Sequence, residues 1–149
     1  MYCNYEFFSQ QSGNMTKLIT VLISLIICLF SISLSADGYR PAYLSLKQTT
    51  DATFDVVWKL PSTKQNQVLN LTVKFPNDTK LIKPKSIRPA GAATIEQFSI
   101  STEQGLVSNE ISITGLDNAP TEVLVRIQWL SGVTETARLD ASKTGFTGG

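Results

Sequence analysis

The sequence predicts an all-β domain, an immunoglobulin-like β-sandwich of about seven strands behind an N-terminal signal helix, with a small β-barrel as the alternative closure. Three observations predict it. Past residue 36 the apolar residues recur with period two. Clusters of turn-forming residues interrupt them at spacings of roughly ten residues, and nothing beyond the leader shows helical spacing at comparable length.

The alternation is clearest in two segments. In residues 53–60, Phe54, Val56, Trp58 and Leu60 alternate with Thr53, Asp55, Val57 and Lys59. In residues 68–75, Leu69, Leu71, Val73 and Phe75 alternate with Val68, Asn70, Thr72 and Lys74. A strand sends successive side chains to opposite faces, so each segment has one side to bury. Further strands are expected at residues 42–48, 93–100, 110–114, 123–130 and 133–139. Pro61-Ser62-Thr63, Pro76-Asn77-Asp78, Pro89-Ala90-Gly91, Gln104-Gly105 and Asp117-Asn118-Ala119-Pro120 separate the runs with residues that favour turns. Ser131-Gly132 predicts a hairpin in which the glycine takes positive φ. Trp58, Phe75, Phe98 and Trp129 are the expected large core residues, and the register also assigns Tyr43 to the core.

Four segments organise the chain. Residues 1–14 read as a non-structural extension, 15–36 as a signal peptide or membrane anchor, 37–142 as the sandwich and 143–149 as a flexible tail. Lys17 followed by the apolar run from Leu18 to Leu34 has the form of a leader, and Ser33, Ser35 and Ala36 offer small residues for cleavage ahead of Asp37. The competing reading is an uncleaved anchor, because the run approaches the roughly 20 residues that a spanning helix needs. Either way the domain is exported, to the periplasm or to a membrane surface facing it. The two cysteines, Cys3 and Cys28, both precede residue 37, so the domain has no cysteine for a disulfide.

Composition bears mainly on what chemistry is open to the chain. It has 149 residues, 13 basic against 12 acidic, and no histidine. That balance carries no electrostatic footprint for nucleic acid. Without His or Cys in the domain neither a Ser-His-Asp nor a Cys-His arrangement is available, and a transition metal would find only carboxylates and carbonyls. No Gly-rich phosphate loop is present. Asp51 and Asp55 read as surface carboxylates rather than a catalytic pair. No catalytic residue, metal site or cofactor is therefore assigned, and the domain is read as non-enzymatic.

The segment with Lys80, Lys83, Lys85 and Arg88, interleaved with Pro84 and Pro89, reads as edge-strand protection or a solvated loop. The functional alternative is contact with anionic lipid or an acidic partner. The candidate binding residues are Arg40, Tyr43, Lys83, Lys85, Arg88 and Arg126, the partner a membrane protein or membrane surface, and any small-molecule ligand unknown.

Arg40-Pro41-Ala42-Tyr43-Leu44-Ser45-Leu46, followed by Phe54-Asp55-Val56-Val57-Trp58-Lys59-Leu60-Pro61, resembles the opening of the extracytoplasmic N-terminal domain of bacterial HupE/UreJ-type membrane proteins. Ile111-Ser112-Ile113-Thr114-Gly115-Leu116, then Thr121-Glu122-Val123-Leu124-Val125-Arg126-Ile127 and Ala137-Arg138-Leu139, resemble that domain's second half in the same order. The resemblance implies an exported domain that precedes a polytopic membrane region, with links to nickel or cobalt handling that belong mainly to that region. This sequence ends at Gly149 with no membrane helix after the domain, which reads as a truncated copy or a separately encoded domain. It also lacks the His before Arg40 and the cysteine pair often found in the family. Two functions follow: an accessory domain, which predicts an exposed apolar or basic patch, and a free periplasmic ligand-binding module, which predicts a concave site with convergent polar groups.

Overall fold

The computed structural model describes residues 6–29, 40–63 and 69–149. The chain divides into two compact units, Met1–Asp37 and Gly38–Gly149. In the first, helix α1 spans Glu6–Leu29 and so begins within the segment read as a non-structural extension. No proline interrupts residues 6–29. Among the described residues no helix is long and apolar enough to cross a membrane. The expected cleavage site at Ser33 to Ala36 lies outside the described residues.

The second unit is a β-sandwich. Its strands are β1 (Ala42–Thr50), β2 (Thr53–Pro61), β3 (Thr72–Lys74), β4 (Lys80–Pro89), β5 (Ala93–Ser101), β6 (Glu110–Thr114), β7 (Val123–Gln128), β8 (Thr134–Leu139) and β9 (Gly145–Thr147). A six-stranded sheet in the order β4-β5-β2-β1-β7-β8 faces a three-stranded sheet in the order β3-β6-β9, and neither closes into a barrel. All pairings are antiparallel except β1 with β7, which run parallel from Ala42↔Val123 to Lys47↔Gln128.

The period-two pattern becomes burial directly. Ala42, Leu44 and Leu46 of β1, Phe54, Val56 and Trp58 of β2, and Val123, Val125 and Ile127 of β7 are buried on one face of the large sheet. Ile111 and Ile113 of β6 meet them from the small sheet, with Leu71, Leu106 and Leu116 closing the ends. Each such valine, leucine, isoleucine or phenylalanine contributes about 1.5–3 kcal/mol through burial. Every member of this cluster lies between Ala42 and Phe146, so the second unit carries a complete core of its own. Phe75 and Trp129 are only partly buried, at the margin of the core. Trp129 donates from Nε1 to Glu135 Oε1 at 2.7 Å and stacks edge-on to Phe54.

Nine strands form among the described residues, where the sequence predicts about seven, because two form where no alternation announces them. β4 occupies the basic segment at the edge of the large sheet, and its ladder to β5 is broken by register shifts between Leu81 and Lys83 and between Lys83 and Ser86. Bulges, Pro84, Pro89 and lysines are what keep an edge strand from pairing with other chains, in keeping with the edge-protection reading. β9 lies in the segment read as a flexible tail. It pairs with β6 through Glu110↔Thr147, Ile111↔Phe146 and Ser112↔Gly145, and Phe146 packs against the core. The sandwich therefore runs to Gly149 rather than to residue 142. Conversely, the strand expected over residues 68–75 shortens to Thr72–Lys74, and Val68 lies outside the described residues.

Two turns set the register locally. Trp129 N–H donates to Val133 O at 2.8 Å and Gly132 takes φ of 87°, the three-residue hairpin with a left-handed glycine. Between β8 and β9, Asp140 accepts from the Ser142 hydroxyl at 2.6 Å and from the backbone N–H groups of Ser142 and Lys143 at 2.8 and 3.1 Å. These bonds favour the carboxylate and hold its pKa below the ordinary 3.8. A lowered folded pKa contributes stability that is present above that ordinary value and is lost as pH falls through the folded value. Asp140→Asn is expected to flatten the acid side of the stability-against-pH curve below about pH 4, as measured by thermal melts, without changing its shape above about pH 6.

Candidate functional site

A concavity lined mainly by apolar side chains lies where the sandwich is open. The small sheet has three strands facing six, so the inner faces of β4 and part of β5 have no strand opposite them. The result is a cleft of about 350 Å³ between the β4–β5 edge and β3. Trp58, Phe98 and Ile100 form its floor, and Val73, Phe75 and Leu81 its sides. Phe75 and Phe98 pack edge-on with ring centroids 6.2 Å apart. On the cleft side of β4, Leu81 and Ile87 are more than half exposed, at 54% and 63%. An edge strand beside a paired layer would bury such residues; here the missing layer leaves them in solvent.

Few polar groups enter this cleft. Lys85 Nζ lies 3.3 Å from Glu96 Oε2 and 5.0 Å from the centroid of the Phe98 ring, a cation–π arrangement. Thr79 Oγ1, in the wall, is buried without a hydrogen-bond partner. A buried hydroxyl left unpaired is uncommon in native proteins. The backbone adds a further open valence. Ile113 donates its N–H to Thr144 O at 2.8 Å, away from β3, and Ile113 is the register partner of Val73. In an antiparallel ladder this makes Val73↔Ile113 a non-hydrogen-bonded pair, so the N–H and C=O of Val73 point away from β6, outward from the free edge of β3.

The predicted binding residues separate into distinct places. Tyr43, Lys83, Arg88 and Arg126 lie on the outer face of the large sheet, opposite the core. Tyr43 is thus not a core residue: the alternation that sends Ala42 and Leu44 inward sends it outward, where it is half-buried among its neighbours. Lys85 departs from its segment in the other direction, because the bulge after Lys83 turns it to the cleft side over Phe98. Arg40 stands exposed just ahead of β1, where its backbone C=O accepts from the Thr121 hydroxyl at 3.3 Å. Asp55 also faces outward and accepts from Ser99 Oγ at 2.6 Å, while Asp51 sits in the β1–β2 turn, so the two carboxylates form no pair.

The cleft has no signature in the sequence. Phe75 and Phe98 are core candidates by pattern, but Leu81, Ile82 and Ile87 sit in a segment dominated by lysine and proline, and Thr79 stands out only as the last residue of the sequon Asn77-Asp78-Thr79. Among the described residues no group of three or more His, Cys, Asp or Glu could hold a metal ion. No protein-family model matches the chain, and no curated protein matches it.

Proposed function

We propose that residues 38–149 form a non-catalytic, exported interaction domain that docks on a membrane-protein partner through the open side of its sandwich. The observation that carries this reading is the uncovered inner face of β4, where Leu81 and Ile87 are exposed beside an aromatic cleft. An apolar patch of this kind on an otherwise polar edge is the signature of a docking site. The outward N–H and C=O of Val73 favour a partner that presents an extended segment: its backbone pairs with β3 while alternate apolar side chains enter the cleft. Of the two edges that border the cleft, β4 is guarded by prolines and bulges, which leaves β3 to accept a strand there. The apolar run that begins at Leu18 supports export, and the resemblance to HupE/UreJ-type proteins supports a membrane protein as the partner.

The test is site-specific photo-crosslinking in a Gram-negative host expressing the chain from Met15. A crosslinker at Leu81 is expected to give an adduct with an integral membrane protein, while one at Val133, equally exposed at 57% but distant from the cleft, gives none. In the same cells the mature N-terminus is expected near Asp37. Equal labelling at both positions would overturn the docking reading.

A second reading rests on Thr79. Its unpaired hydroxyl and a cleft of about 350 Å³ fit a small, mostly apolar ligand with one hydrogen-bonding group. Native mass spectrometry of protein purified from the periplasm separates the two, since a bound small molecule adds a fixed mass.

A further inference from the structure

The outer face of the large sheet collects charge that the sequence leaves dispersed. The ladder registers place Lys83 and Arg88 of β4, Lys59 of β2, Lys47 of β1, Arg126 of β7 and Arg138 of β8 on this one face, all of them exposed. Opposing them are Asp55 and Glu122, with Asp140 at the end of β8 close enough to act on Arg138. Asp55 is engaged by Ser99, and Glu122 is hydrogen-bonded to Arg138. Among the described residues Arg138 alone of the six cations has an ion-pair partner. The whole chain has a net charge of only +1, so this excess on one face reflects an asymmetric distribution rather than a basic protein.

The cations are interleaved with apolar residues in a specific order. One cross-strand row runs the full width of the sheet: Arg88, Ile95, Lys59, Tyr43, Leu124 and Arg138, each the register partner of the next. Leu124, on the solvated face one strand in from the β8 edge, is 39% exposed. At about 4.8 Å between strands the row is about 24 Å long. It carries cations at both ends and in its middle, with an aromatic hydroxyl and two aliphatic side chains between them.

We propose that this face docks on an anionic membrane surface, with Lys47, Lys59, Lys83, Arg88 and Arg126 meeting lipid headgroups and Tyr43 and Leu124 entering the interfacial region. Charge complementarity argues for an anionic partner, and the distribution argues for a lipid surface. Six cations spread over five strands, with only a shallow hollow beside Lys83, contain no built pocket for a single anion, whereas a headgroup layer presents charge at every point of such a face. Tyrosine and leucine between lysines and arginines match the interface, where a ring has one polar and one apolar end. This surface is on the opposite side of the sheet from the cleft, so the inference does not depend on what the cleft binds. A domain lying on a membrane by this face keeps the cleft free.

The test uses the unit Gly38–Gly149, whose core is complete in itself, so that the apolar helix α1 does not contribute to binding. It is sedimented with vesicles of phosphatidylcholine alone and with vesicles in which about a third of the lipid is phosphatidylglycerol. Binding is expected only to the anionic vesicles, and is expected to fall steeply between low salt and about 0.3 M as the charges are screened. Lys59→Gln or Arg126→Gln is expected to weaken it about fivefold each, the equivalent of about 1 kcal/mol per cation at a charged surface. Lys74→Gln, on the small sheet, leaves it unchanged. All three positions are exposed, so melting temperatures within a few degrees of the parent confirm that folding is not at issue. No binding to anionic vesicles at low salt, or equal loss with Lys74→Gln, overturns the proposal. So does binding to polyglutamate without binding to vesicles, which would assign the face to an acidic protein.

Discussion

Trp58→Ala is expected to lower the stability of the sandwich by about 3–5 kcal/mol, a large part of the roughly 5–15 kcal/mol that a domain of this size has in total. The indole is 2% exposed and occupies the middle of β2. Leu44 is its register partner on β1 and Glu96 its partner on β5, so its removal leaves a cavity bounded on both sides by paired strands that cannot collapse into it. The same ring lines the floor of the cleft. Urea unfolding should therefore show a midpoint shifted strongly downward with little change in slope. Trp58→Phe, which keeps most of the volume, is expected to retain more than half of the lost stability. A midpoint unchanged by the alanine would mean that the core is not centred on β2.

Gly115→Ala is expected to cost about 3 kcal/mol despite the small size of the added methyl group. Gly115 has φ of 90°, a conformation that a residue with a Cβ rarely adopts, and an added Cβ would stand 2.5 Å from the carbonyl oxygen of Asn70. That neighbour is backbone at the entrance to β3, and it cannot move without shifting Leu71, which is buried in the core. Gly145 is the informative contrast. Its Cβ would also meet a close neighbour, but that neighbour is the end of the flexible Glu110 side chain, and its φ is ordinary. Gly145→Ala is expected to stay within about 0.5 kcal/mol of the parent in the same melts. If both alanines cost the same, the positive φ and the backbone contact are not what makes Gly115 essential.

The legibility of this protein follows the range of the interactions. β2 was readable to within a residue at each end because Phe54 to Leu60 alternate without interruption, and the turn at Ser131-Gly132 was readable because a positive φ demands a particular residue. β9 was not, since three residues beside a glycine carry no periodicity and form a strand only because β6 offers them a ladder. The candidate sites follow the same rule. Lys83 and Arg88 were recognisable as a basic segment, yet nothing local indicated that Lys85 between them would turn to the opposite face, a consequence of the bulges in β4. Tyr43 leaves its expected core place for a related reason: alternation permits either parity of β1 to face inward, and pairing with β2 and β7 turns Ala42 and Leu44 inward and Tyr43 outward.

By itself the sequence determined that the domain is all-β, where most of its strands turn, which residues of β2 bury, and that it holds no histidine or cysteine. These are properties of a strand and its neighbours in sequence. Only the tertiary structure decided the strand order, and with it everything that depends on which strands lie side by side. Strand order placed Arg88, Lys59, Tyr43 and Arg138 in one row, and it left β4 facing an absent layer, so that Leu81 and Ile87 border a cleft instead of a core. The physical reason is that alternation specifies on which side of a strand a residue projects, while the partners it meets there are set by long-range pairing between segments that carry no local record of one another.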